Sequence, residues 1–198
     1  MPSRARLDGA AERWREGTGD QMAFLSRLVG QGALNPAQFQ AQMRDMVKEL
    51  HVRMAVFGND GERDGLTQRD WGIVGRECRN QYAYLNGFAQ DVIQRQQLAE
   101  AGAINPQTGE PYTMYSAAYL ENRAKLYAKA ARATYERIRT EHSGENGDEL
   151  IWTLSPAEHC ATCLERDGTV ARRDSIPFWP GIGTDCQVNC RCSWELVE

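Results

Sequence analysis

Five of the six cysteines in this chain of 198 residues fall within the last 39, and no other feature restricts its folding as strongly. They read Cys160-Ala-Thr-Cys163, then 22 intervening residues, then Cys186-Gln-Val-Asn-Cys190-Arg-Cys192. A Cys-x-x-Cys turn sets two sulfurs close enough to chelate one ion, and a second pair from a distant loop completes a tetrahedron about 2.3 Å from the metal. Thiolates suit soft to borderline cations, so structural Zn2+ is the expected occupant. The favoured ligand set is Cys160, Cys163, Cys186 and Cys190, with Cys192 able to replace either of the last two; His159 is a sixth donor within reach. Disulfides formed in an oxidising medium are the alternative cross-link, and plain buried thiols are the third reading. Stability favours some cross-link. A tail of about 50 residues, broken by Pro156, Pro177, Pro180, Gly181 and Gly183, has little apolar surface to bury on its own. Structural zinc contributes on the order of 10 kcal/mol to such a module.

Two catalytic readings of the same residues are weaker. A catalytic zinc keeps an open position beside a general base, for which Glu158, Glu165 and His159 are the candidates. The deaminase pattern requires His-x-Glu ahead of Pro-Cys-x-x-Cys, and the chain has neither piece: Glu158 directly precedes His159, and Ala157-Glu-His separates Pro156 from Cys160. A thioredoxin-like redox site needs its Cys-x-x-Cys at a helix start in a βαβ setting, which the three further cysteines speak against.

Upstream of the tail, helical periodicity dominates. Met22, Leu25, Leu28 and Val29 mark a helix over 20–30 that Gly30-Gln-Gly32 stops. Asn35-Pro36 opens the next, with Phe39, Met43, Met46, Val47, Leu50 and Met54 on one stripe, and Gly58-Asn-Asp-Gly61 closes it. Thr67-Gln-Arg-Asp70 resembles a capping box at the head of a helix reaching about Ala99, carrying Trp71, Val74, Cys78, Tyr82, Leu85, Phe88 and Val92. Asn105-Pro-Gln-Thr-Gly109 belongs to a turn-rich connector, and a fourth helix runs from Ser116 to about Glu141. His142–Gly147 reads as a linker. Beyond it, Leu150–Leu154 and Cys192–Val197 have strand character and are expected to pair, giving the tail a β-hairpin. The expected fold class is therefore mainly α: a helical body with a small C-terminal α+β, cysteine-rich, zinc-knuckle-like module. Three regions follow, 1–115 as the N-terminal helical region, 116–147 as a basic long helix and linker, and 148–198 as the metal-binding module.

Charge is uneven beneath a formal net of −4. Residues 149–198 hold eight acidic and four basic side chains, so residues 1–148 balance at 19 of each sign and generate no general field for a polyanion. One local exception stands out. Arg123, Lys125, Lys129, Arg132, Arg137 and Arg139 meet only Glu136 across 17 residues, a candidate DNA or partner contact whose bland reading is a solvated helix face. Tyr112, Tyr115, Tyr119, Tyr127 and Tyr135 are expected to pack between helices instead of stacking on bases, Cys78 to be a buried thiol, and His51 and His142 to have no special role. No apolar run approaches the roughly 18 to 20 residues of a membrane span, and acidic Asp8, Glu12 and Glu16 occupy the place of a signal segment, so residence in a cytoplasm is expected.

The run from Trp152 through Cys160-x-x-Cys163, the loop Pro177-Phe-Trp-Pro-Gly181-Ile-Gly-Thr184 and the ending Cys186-x-x-Asn189-Cys190-Arg191-Cys192 resemble the C-terminal part of the Mu F-like phage head morphogenesis (minor head) proteins. The helix around Arg123-Ala-Lys-Leu-Tyr127 and Tyr135-Glu-Arg-Ile-Arg139 is similar to the one that precedes the module there, so the likeness covers roughly residues 115–198. Members often carry a histidine three positions before the Cys-Arg-Cys, where this chain has Gln187. The resemblance implies a structural, non-enzymatic component of a tailed-phage virion, assembled in the host cytoplasm. Its implied partners are portal or other capsid proteins in a multi-copy assembly, with packaged DNA as a further contact and no membrane. The rival from another class is a zinc-dependent nucleic-acid-binding protein or a metal-dependent nuclease or deaminase-like enzyme.

Overall fold

A computed structural model describes residues 3–145 and 147–197. Four long helices form the body: α1 Arg4–Gly30, α2 Pro36–Gly58, α3 Gln68–Glu100 and α4 Ala117–His142. The C-terminal module follows as β1 Glu149–Thr153, α5 Ala161–Arg166, β2 Val170–Arg172 and β3 Ser193–Leu196, with single 3-10 turns at Arg173–Ser175 and Gln187–Asn189. This is the expected mainly helical architecture with a small α+β, cysteine-rich module.

Local chemistry sets the helix starts. The Asn35 side chain accepts from the Ala37 N–H at 2.8 Å with Pro36 in the first turn. The capping box at α3 is complete: Asp70 accepts from the Thr67 N–H at 2.8 Å while the Thr67 hydroxyl accepts from the Asp70 N–H at 3.3 Å. His142 Nε2 lies 2.9 Å from the same Asp70 carboxylate, so the end of α4 is tied to the start of α3 and His142 has a structural role that the sequence did not suggest.

The first helix begins at Arg4, well before the Asp20 start that periodicity indicated. Its buried face runs Leu7, Ala11, Arg15, Gly19, Met22, Ser26 and Val29, a regular helical spacing whose first half is small or charged and therefore silent as an apolar stripe. Small residues here bring backbones together. A Cβ on Gly19 would stand 3.2 Å from the Cβ of Ala128, and α4 answers with fully buried Ala124, Ala128 and Ala131. Gly58 does the same where α2 crosses α4, since a Cβ there would meet the Tyr135 carbonyl oxygen at 2.8 Å. Helix α4 thus lies against α1, α2 and α3, and Phe39, Met43, Leu50, Leu85, Phe88 and Tyr127 fill the centre. Trp71, placed on the apolar stripe by spacing, is 40% exposed, whereas Cys78 is buried as expected. His51 is also interior, with Nδ1 2.7 Å from the Thr134 hydroxyl.

The two predicted strands do pair, but not as a hairpin. Strand β1 is the centre of a three-stranded antiparallel sheet ordered β2-β1-β3, with Trp152 opposite Trp194 and Leu150 opposite both Leu196 and Ala171. Alternation along β1 sends Leu150 and Trp152 inward. The rings of Trp152, Trp194 and Phe178 form an aromatic trio, with Trp152–Trp194, Trp152–Phe178 and Phe178–Trp194 centroids 5.4, 5.1 and 5.3 Å apart. Among the described residues no helix is long and apolar enough to cross a membrane.

Candidate metal centre

The module core is half sulfur. Cys163, Cys190 and Cys192 are buried together with Leu150, Trp152 and Trp194, and Cys160 and Cys186 pack against them. Each thiol arrives on its own support. Cys160 is the N-cap residue of α5 and Cys163 lies in that helix's first turn, where its N–H donates to the Cys160 carbonyl at 3.0 Å. The Cys-x-x-Cys therefore does open a short helix, contrary to expectation, but between antiparallel strands and not in a βαβ unit. Cys186 and Cys190 bracket the 3-10 turn Gln187–Asn189, whose first residue has a positive φ of 46°. Cys192 sits at the foot of β3. Thr162 bonds through its hydroxyl to Asp185, fastening the two cysteine loops to each other.

Sulfur–sulfur distances fit coordination and not covalent linkage. Cys163 Sγ lies 3.6 Å from Cys186 Sγ and 3.8 Å from Cys190 Sγ. A tetrahedron of thiolates about 2.3 Å from a zinc ion has edges of about 3.8 Å, whereas a disulfide needs about 2.05 Å. All six cysteines are free. The thiols fall into two trios, Cys160–Cys163–Cys186 and Cys163–Cys190–Cys192, each with its sulfurs mutually within 4.8 Å. All five C-terminal cysteines named from the sequence are thus brought together. His159 joins them, with Nδ1 3.6 Å from Cys192 Sγ. The sequence signal for His159 was its place immediately before the Cys-x-x-Cys, but it does not reveal that the ring turns toward Cys192.

Electrostatics separate the thiols. Burial works against the charged form of Cys160, but hydrogen bonds from the Cys163 and Cys186 backbone N–H groups outweigh it and bring this thiol down to about 7. Burial and the neighbouring sulfurs drive Cys163 strongly upward, and burial followed by the Cys190 charge pushes Cys192 up to about 12. So dense a group of thiols resists ionising without a cation, and a thiophilic dication would supply the missing charge. The donor set fits a zinc-like ion.

The basic residues of α4 serve the module, too. Lys129 Nζ donates to Asn189 at 3.0 Å, and Arg132 donates to the Arg191 carbonyl at 3.3 Å. Arg139 donates to the Trp194 carbonyl at 3.2 Å and to Glu195 at 2.6 Å, and Arg137 lies over the Trp179 ring at 4.9 Å while reaching Glu77 at 3.4 Å. Buried Glu136 stands between Arg132 at 3.1 Å and Arg139 at 3.2 Å. Burial raises the Glu136 carboxyl, opposed by the two guanidiniums, first that of Arg139. Lys125 pairs with Asp20 at 2.9 Å, while Arg123 is exposed, its guanidinium 5.9 Å from the Phe88 ring. The six cations therefore do not present one free stripe: most are spent inside the molecule, four of them against the module. Of the tyrosines, Tyr127 and Tyr135 are buried in the helical core, and Tyr115 stacks on Tyr119 with centroids 4.6 Å apart.

A groove of about 900 Å³ runs between α3, α4 and the Pro180–Thr184 loop, bordered by Tyr84, Arg123, Lys129 and Ile182. No family model, curated protein or solved structure matches the chain, so the likeness noted above rests on the residues that carry it.

Proposed function

We propose that this chain is a structural minor head or connector-associated component of a tailed-phage virion, acting in head morphogenesis through protein contacts, and that zinc holds its C-terminal module in shape. The observation that carries the reading is the gathering of five thiols, from a helix start, a turn and a strand foot, at coordination and not bonding distance inside the module core. When bound, the ion cross-links segments more than 20 residues apart in the chain. The ligands are drawn from Cys160, Cys163, Cys186, Cys190 and Cys192, with Cys163 common to both trios. The phage assignment draws on the Cys-x-x-Cys, the Pro177–Thr184 loop and the Asn-Cys-Arg-Cys ending. Support for a contact-making role comes from the groove beside the module, where Tyr84 is 65% and Ile182 43% exposed.

The test has two arms. The purified chain is assayed for metal, nuclease activity and deaminase activity, and then co-expressed with a portal ring from a tailed phage. Tightly held zinc, no turnover and co-purification with the ring are the expected results. Metal-dependent cleavage of DNA would overturn the structural reading in favour of a zinc-dependent nucleic-acid enzyme.

A further inference from the structure

Five cysteines exceed the needs of one tetrahedral ion, and their layout is not that of four ligands plus a bystander. In a single S4 site every sulfur neighbours every other at about 3.8 Å. Here the sulfurs divide into two trios that meet only at Cys163. Cys163 is fully buried at the centre, 3.6 Å from Cys186 on one side and 3.8 Å from Cys190 on the other. A thiolate in that position has lone pairs for two metals.

A further donor, His159, stands at the Cys192 edge of the second trio, outside 4.8 Å of at least one of its other sulfurs. His159 Nε2 lies 2.7 Å from the Ser155 carbonyl oxygen, which can only accept, so the ring proton sits on Nε2. Nδ1 is then the free acceptor of the ring and meets the Cys192 thiol at 3.6 Å, close enough to turn from that thiol to an ion held by the trio. A backbone carbonyl fixing the remote ring nitrogen is the arrangement that orients metal-ligating histidines. Charge points the same way: five thiolates around one dication leave −3, and around two they leave −1.

We infer that the module holds two zinc-class ions bridged by the Cys163 thiolate, one bound by Cys163, Cys190 and Cys192 and completed by an inward shift of His159, the other bound by Cys160, Cys163 and Cys186 with one open position. This rests on the metal-binding part of the proposed function but is separable from it.

Native mass spectrometry and elemental analysis of the full chain, purified under reducing conditions with zinc, count the ions, and 113Cd NMR of the cadmium-substituted chain reports their ligands. Two ions per chain and two 113Cd resonances split by mutual coupling through a shared sulfur are expected. H159A should lower the count from two ions to one while the Trp152 and Trp194 signals persist, and C163S should remove both. A wild-type chain with a single ion overturns the two-ion site yet leaves the structural-zinc reading standing. A metal-free chain with disulfides overturns both. Two ions with no coupling, and an H159A variant that keeps both, overturns the bridge and the histidine ligand.

Discussion

The helical body and the C-terminal module keep themselves ordered by different means. In the body, Phe39, Met43, Val47, Leu50 and Leu85 are wholly buried, and alanines and glycines on α1 and α4 let the helices close on them. In the module the interior is two tryptophans, a leucine and three buried cysteines, with two more cysteines at its edge. The first core is hydrocarbon and fits by volume, so each lost methylene costs stability. The second is small and rich in thiols, and on the proposed reading its sulfurs contribute their full worth only when a cation joins them. Helix α4 connects the two, with one face in the body core and its arginines on the module's backbone.

Substitutions should separate these regimes, and the largest effect belongs to the module. Cys163→Ser removes the sulfur shared by both trios, and with it stabilisation on the order of 10 kcal/mol. Metal content should vanish and the module's NMR signals collapse while the helical far-UV signal of the body remains. In the body, Phe39→Ala leaves a cavity against Phe88 and should cost about 4 kcal/mol in chemical denaturation, with metal content unchanged. If Phe39→Ala also released metal, the two cores would not be independent.

Acid should act on the body through His51. Burial drives this imidazole from 6.5 down to about 4, so it is neutral in the fold. The unfolded chain takes up a proton near pH 6.5 and the folded chain only near pH 4. Stability should therefore be complete above pH 6.5 and fall between those values, by about 3 kcal/mol in all. His51→Gln should flatten that part of a stability–pH curve followed by helical circular dichroism. The smallest effect expected is that of Asp70→Ala, which removes the capping box and the tie to His142 and should cost about 1 to 2 kcal/mol. Its thermal midpoint should drop with no change at the cysteines.

The same contrast explains what was readable in advance. Helices α2 and α3 were legible because full apolar stripes and explicit caps mark them. The first half of α1 was not, since a face of Leu7, Ala11, Arg15 and Gly19 works by close approach and has no hydropathy signature. Strand β2 is three residues long with Val170 half exposed, too short to show a period, and α5 has six residues. The cysteines announced the site by spacing alone. Their division into two trios depends on the fold, and so does the use of Arg132 and Arg139 as docking groups, which the sequence shows only as positive charge.

On the proposed reading, metal orders the module and only the module. A 1H–15N correlation spectrum of the full chain, recorded before and after a strong zinc chelator and again after zinc is restored, tests it directly. Signals from residues 149–197, including the Trp152 and Trp194 indoles, should collapse on chelation and return with zinc while those of the four long helices stay dispersed. A module that keeps its dispersed spectrum after elemental analysis shows the metal gone would contradict it.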